Sequence, residues 1–155
     1  MSAMVLYRGQ VCPEWVDYNG HMRDAYYLLV FSLASDALID RIGLDDAARQ
    51  SRRRSVYTLE VHLNYLREMK EGDPLRVEGR ILASDHKRLQ VFFSLHYGEE
   101  DAPAACSEQL LIHVDTGSGR STAFDEDVLS RIGELSPPGA GFESPYVGRS
   151  IALKV

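Results

Sequence analysis

The sequence predicts an α+β domain in which a five-stranded antiparallel sheet wraps around one long central helix. Three observations carry that prediction. Twelve of the fifteen residues from Ala25 to Ile39 are apolar and do not fall on one stripe, so a helix here must be buried nearly all round. One segment before it and four after it have strand character, several with apolar and polar residues alternating at period two. The chain has 155 residues, enough for one core and too few for two full domains. With no second long helix to cover the first, only the sheet can do so.

The elements follow in order. Met4 to Val11 reads as a strand. Pro13 to Gly20 collects Pro, Asp, Asn and Gly, the residues of turns. The central helix is expected from Asp24 to Ile42, with Asp24 as its N-cap or first-turn acid, Arg41 in its last turn and Gly43 as terminator. Tyr57 to Tyr65 and Leu75 to Ile81 alternate as half-buried strands. Leu89 to Tyr97 and Glu108 to Asp115 complete the sheet, with turns at Glu71 to Pro74 and Tyr97 to Asp101. A shorter helix is expected over Asp125 to Ile132. Pro137-Pro138-Gly139-Ala140-Gly141 then marks a boundary, giving a domain over residues 1–136 and a tail over 137–155.

Seventeen Lys and Arg against 23 Asp and Glu give a net charge of -6, which argues against a nucleic-acid partner. An anionic ligand would need the few cations gathered locally. Cys12 and Cys106 stand far apart with no metal-ligand spacing, so two reduced thiols in a cytoplasmic protein are expected. No signal peptide is visible, and the most apolar run is too short to span a bilayer, so no membrane partner is expected. H-E-x-x-H, G-x-S-x-G, the P-loop and G-x-G-x-x-G are all absent. The five histidines lack ligand spacing, so no metal is expected. His113 and Asp115 share a strand face without an activated serine, which argues against a hydrolase triad.

One segment has chemical potential, the run from Trp15 to Tyr27. It sets Asp17, Asn19 and His21 in a tight turn just before the central helix. A helix N-terminus offers unpaired N–H groups and a positive dipole end that can hold an oxyanion. A carboxylate just upstream can attack a carbonyl or direct water. Spacing alone equally allows Asp17 to cap its own turn and His21 merely to pack.

The pattern Asp17-x-x-Gly20-His21-Met22, followed by Tyr27, resembles the signature of hotdog-fold acyl-CoA thioesterases of the 4-hydroxybenzoyl-CoA thioesterase type. The resemblance runs from Tyr7 to Phe124 and includes Asn64-Tyr65-Leu66-Arg67, Gly72-Asp73 and Lys87-Arg88. The fuller run Trp15 to Met22 is similar to a branch associated with carnitine breakdown, the betainyl-CoA thioesterases. The resemblance implies a homodimer or homotetramer with active sites built between subunits. It implies Asp17 as the catalytic carboxylate, Asn19 and His21 as its orienting neighbours, and the N–H of Asp24 near the thioester carbonyl. Arg23 departs from the Asn that many relatives carry there. CoA is part of the substrate, and no separate cofactor is implied. Lys87 and Arg88 match a position that meets nucleotide phosphates, with Arg67 and the run Arg52 to Arg54 as further candidates. Trp15, Tyr18, Tyr26, Tyr27 and Tyr65 would line the acyl pocket, where aromatic faces suit a quaternary ammonium. Thr58, Glu60 and Asn64 are expected to share one strand face that could meet the partner subunit. The resemblance implies hydrolysis of a small acyl-CoA to free acid and CoA, betainyl-CoA to glycine betaine first; the rival readings are a thioesterase for another short-chain or aryl acyl-CoA, a non-catalytic acyl-CoA-binding module, and a hydratase on the same fold.

Overall fold

A computed structural model describes residues 3–136 and 141–153. The chain runs β1 (Met4–Gln10), a single 3-10 turn (Pro13–Trp15), α1 (Asp24–Arg41), α2 (Asp46–Arg52), β2 (Arg54–Tyr65), β3 (Pro74–Ser84), β4 (Arg88–Tyr97), β5 (Pro103–Asp115), β6 (Arg120–Ser121) and α3 (Glu126–Leu135). All strand pairs are antiparallel, in the order β1-β3-β4-β5-β2, and β6 adds to β5. The sheet has six strands among the described residues where five were expected, the sixth only two residues long. Three α-helices occur among the described residues.

The sheet curls over α1. Val30, Phe31, Ala34 and Leu38 are fully buried beneath it, with Phe31 stacked on Phe93 of β4 at 6.2 Å. Gly79 allows β1 to lie close across β3, since a Cβ there would meet Leu6 at 2.5 Å. Contrary to the expectation from its composition, the helix is not buried all round. Leu28, Leu29 and Leu33 are 42%, 40% and 38% exposed, because one chain's sheet covers only one side of α1. This leaves an open apolar face. Asp24 takes the first-turn role; Arg23 is the N-cap and supplies no side-chain cap.

Three local features depart from the sequence pattern. The α2 helix was not expected, although its N-cap Asp45 accepts from Ala48 N at 2.9 Å and Arg53 closes it in the left-handed conformation. Strand β5 starts at Pro103, five residues before its alternating part, because Ala104, Ala105, Cys106 and Ser107 are small and buried on both faces. In β2 a bulge shifts register between Thr58 and Glu60. Glu60 pairs with Leu110 and Asn64 with Cys106, on the outer face, whereas Thr58 pairs with Leu111 on the helix side. Thr58 therefore does not share a face with Glu60 and Asn64.

The sheet has two distinct ends. Pairs Gln10–Pro74, Leu75–Tyr97, His96–Pro103 and Tyr65–Ala105 lie at one end, and the start of α1 joins them through the Tyr65 hydroxyl, which donates to Asp24 O at 3.1 Å. Pairs Ser84–Leu89, Arg88–Ile112 and Arg54–Asp115 lie at the other. The tail segment over residues 141–153 crosses the outer face, with Phe142 5.3 Å from Phe92 and Gly148 N donating to Glu108. Most of the expected Pro/Gly boundary, residues 137–140, lies outside the described residues. No described helix is long and apolar enough to cross a membrane.

Candidate active site

Asp17 sits half-buried in a turn that its own side chain organises. Its Oδ1 accepts from the backbone N–H of Asn19 at 2.9 Å and of His21 at 3.2 Å. Gly20, at φ +78, closes the loop back onto Asp17 O. Asn19 and His21 thus hold the carboxylate through their main chain and not through their side chains. Oδ2 receives no hydrogen bond among the described residues and is left for chemistry.

The turn is fixed against the segment that follows β2. Met22 N donates to Met69 O at 2.7 Å, Glu71 N donates to Gly20 O, and His21 Nε2 lies 3.3 Å from Glu68 Oε2. Arg23 N donates to Trp15 O, which sets the entry angle of α1. The exposed Arg23 guanidinium has no partner among the described residues. The Asp24 carboxylate accepts from Ala25 N at 2.9 Å, while the N–H of Asp24 itself has no acceptor among the described residues. That free N–H at a helix start is a donor that costs nothing to redirect onto an oxyanion.

A cleft of about 300 Å³ opens beside it, lined by Met22, Asp24, Tyr27, Tyr65, Arg67 and Glu68. The Tyr27 and Tyr65 rings meet at 86° with centroids 5.1 Å apart. Burial raises both phenols above their ordinary range, so they stay protonated. Tyr27 OH donates to Arg67 O and accepts from Met69 N, so both hydroxyls bind backbone. Arg67 reaches away from the cleft: it pairs with Glu100 at 2.5 Å and lies 4.7 Å over Tyr97.

The other expected pocket aromatics are placed differently. Tyr18 is 93% exposed, and Trp15 stacks on Tyr26 at 6.0 Å beside the core. Met22, which closes the signature, and Glu68, which nothing in the sequence marked, also line the cleft.

Lys87 and Arg88 are not brought to this cleft within one chain. They open β4 at the far end of the sheet, and the eleven residues of β3 in between span roughly 35 Å. Arg88 is engaged by Asp85 at 2.6 Å, which holds that carboxyl well below its usual range, and Lys87 reaches Ser121 at 3.2 Å. Arg52 ties α2 to Asp125 and Asp127, and Arg54 pairs with Asp115. Burial pushes the Cys106 thiol up to about 12, so it is a core residue and not a nucleophile. His113 is buried, with Nδ1 bonded to Thr122 O at 2.9 Å. No group of three metal-ligating side chains occurs among the described residues.

Comparison with known proteins bears on this arrangement. Residues 11–132 match the family described as the thioesterase-like superfamily. A betainyl-CoA thioesterase of Pseudomonas aeruginosa is 45% identical over 153 residues, covering 98% of this chain and 96% of that protein. An L-carnitine dehydrogenase/betainyl-CoA thioesterase of Rhizobium sp. is 36% identical over 94% of this chain, which spans 29% of that longer protein. A solved structure from Pseudomonas putida KT2440 superposes with TM-score 0.85 at 44% identity, covering 100% of this chain and 99% of the other. A Staphylococcus aureus protein solved in complex with CoA gives TM-score 0.89 at 28% identity, covering 99% and 98%.

Proposed function

The chain belongs to the thioesterase-like superfamily, and from that premise we propose that it hydrolyses betainyl-CoA to glycine betaine and CoA. The observation that carries this reading is the 45% identity, over nearly the full length of both chains, to a betainyl-CoA thioesterase. The site supports it. A carboxylate with one free oxygen, Asp17, precedes a helix start whose Asp24 N–H is unpaired, beside a cleft.

In the reaction the thioester carbonyl oxygen takes the Asp24 N–H, and the helix dipole stabilises the charge that develops on it. Asp17 Oδ2 then acts in one of two balanced ways. It attacks the carbonyl carbon and expels the CoA thiolate, leaving a mixed anhydride that water cleaves to the free acid. Alternatively it takes a proton from a water that attacks the same carbon, and the thiolate again leaves. A thiol ionises far more readily than an alcohol, so neither route needs a strong general acid at the leaving group.

The assembly in this reading is a homodimer or a homotetramer. Its supports are the open Leu28, Leu29 and Leu33 face of α1 and the unpaired outer edge of β2, where Leu59 and Val61 are exposed. Two β2 strands joined antiparallel about a two-fold axis set the Tyr65 end of one against the Arg54 end of the other. That pairing carries Lys87 and Arg88 of the second copy toward the first copy's cleft, where the phosphates of CoA need cations. A CoA substrate and two free thiols support a cytoplasmic location.

Thiol release from betainyl-CoA, acetyl-CoA, decanoyl-CoA and benzoyl-CoA tests the proposal. Betainyl-CoA is expected to have the highest kcat/KM. Faster turnover of an uncharged thioester overturns the substrate, and CoA binding without thiol release from any of them overturns the enzyme in favour of a binding module.

A further inference from the structure

A betainyl group carries its positive nitrogen two bonds from the carbonyl carbon. Whatever reads that charge must therefore lie next to the start of α1, where the carbonyl oxygen is held. A helix N-terminus repels a cation, so the site needs negative charge or π density to compensate. The cleft offers both at that point.

We propose, on the reading that the substrate is betainyl-CoA, that the exposed Tyr65 ring, buttressed by Tyr27, together with the Glu68 carboxylate, is the trimethylammonium subsite that determines acyl specificity. Tyr65 is the ring tied to the helix start, since its hydroxyl donates to Asp24 O at 3.1 Å. It is half exposed, and the buried Tyr27 packs against it edge to face at 86°, which holds the Tyr65 ring in place at the cleft wall. With both hydroxyls engaged by backbone, each ring is fixed, and what the half-exposed Tyr65 can offer a ligand is π surface. Quaternary ammonium groups, which donate no hydrogen bonds, are recognised by such surfaces.

The charges point the same way. Asp24 and Glu68 line the cleft, Glu68 with one oxygen 3.3 Å from His21 Nε2, while the Arg67 guanidinium turns away onto Glu100 and Tyr97. A cleft shaped for an uncharged acyl chain has no use for two carboxylates at its wall. Trp15 and Tyr26 do not compete for this role: they stack on one another and neither lines this cleft.

The test compares betainyl-CoA with its uncharged carbon isostere, 3,3-dimethylbutanoyl-CoA, which differs only in the central atom of the trimethyl group. The readout is the ratio of the two kcat/KM values. In the wild-type chain the ratio favours betainyl-CoA. Tyr65→Leu and Glu68→Gln are each expected to lower it about tenfold. Tyr65→Phe, which keeps the ring and loses the bond to Asp24 O, is expected to retain it. A ratio unchanged in both Tyr65→Leu and Glu68→Gln, with all variants folded by circular dichroism, overturns the subsite. Loss of the preference in Tyr65→Phe as great as in Tyr65→Leu also overturns it, since the hydroxyl would then be the determinant. If the wild-type chain does not hydrolyse betainyl-CoA, the substrate reading itself fails, a separate outcome.

Discussion

Two histidines are held as neutral side chains inside the protein. His96 is buried with Nδ1 at Glu100 O, 3.0 Å, and Nε2 at Ser94 Oγ, 2.8 Å, which leaves its ring fully engaged without a proton to spare. Burial, and next the neighbouring Arg76, push its pKa below the ordinary imidazole value, and burial does the same to His113. Above about pH 6.5 both folded and unfolded chains carry these rings neutral, so they do not change stability there. As the pH falls below that value the unfolded chain takes up protons that the folded one resists, and stability declines. Melting midpoints are expected to be level between pH 7.5 and 7 and to drop by a few degrees between pH 6.5 and 5.5. A midpoint that holds or rises across the lower interval contradicts the neutral assignment.

At this same scale the sequence could be read only so far. Asp17 was legible because turn residues and a following helix frame it. That its Oδ1 is consumed by the N–H groups of Asn19 and His21 was not, since main-chain contacts depend on the turn's φ and ψ and not on side-chain identity. Glu68 was invisible for a different reason. A lone glutamate past a strand end looks like solvated charge until the fold sets it opposite His21 and beside Tyr65.

Among the elements, α1 shows where composition misleads. Its apolar residues surround the axis, which implied complete burial, yet Leu28, Leu29 and Leu33 remain open in the single chain. Composition reports what must be covered and not by which chain. A second copy covers these residues in the assembly proposed above. Leu33→Glu places a carboxylate on that face, and burying it unpaired costs several kcal/mol, of the order of 3–5. Sedimentation of this variant at micromolar concentration is expected to give the mass of one chain, with hydrolysis reduced in parallel. An oligomer that persists unchanged shows that the face lies outside the interface. The strands were more legible than the helices' surroundings, because period-two alternation survives wherever one face is wet. It failed at Pro103 to Ser107, where both faces are buried, and at the bulge near Leu59, where one extra residue inverts every face before it.

Over the whole molecule, the Asp17 turn and the cations expected to anchor CoA stand at opposite ends of one sheet. Sequence order hides this, because Lys87 follows Asp73 by a single strand, and that strand is long. A net charge of -6 is compatible with an anionic substrate only if a few cations act locally, and the two-fold pairing of β2 strands is what would bring them in. The central claim nevertheless rests within one chain, on Asp17 beside the start of α1. Replacing it with Asn keeps an oxygen able to accept from Asn19 N and His21 N, so the turn and the fold are retained while the carboxylate is lost. The decisive measurement is thiol release from betainyl-CoA by the wild-type and Asp17→Asn chains at matched melting temperature. A fall in kcat/KM of about 10² to 10⁴ is predicted, and a folded Asp17→Asn chain within about threefold of wild type would contradict the account.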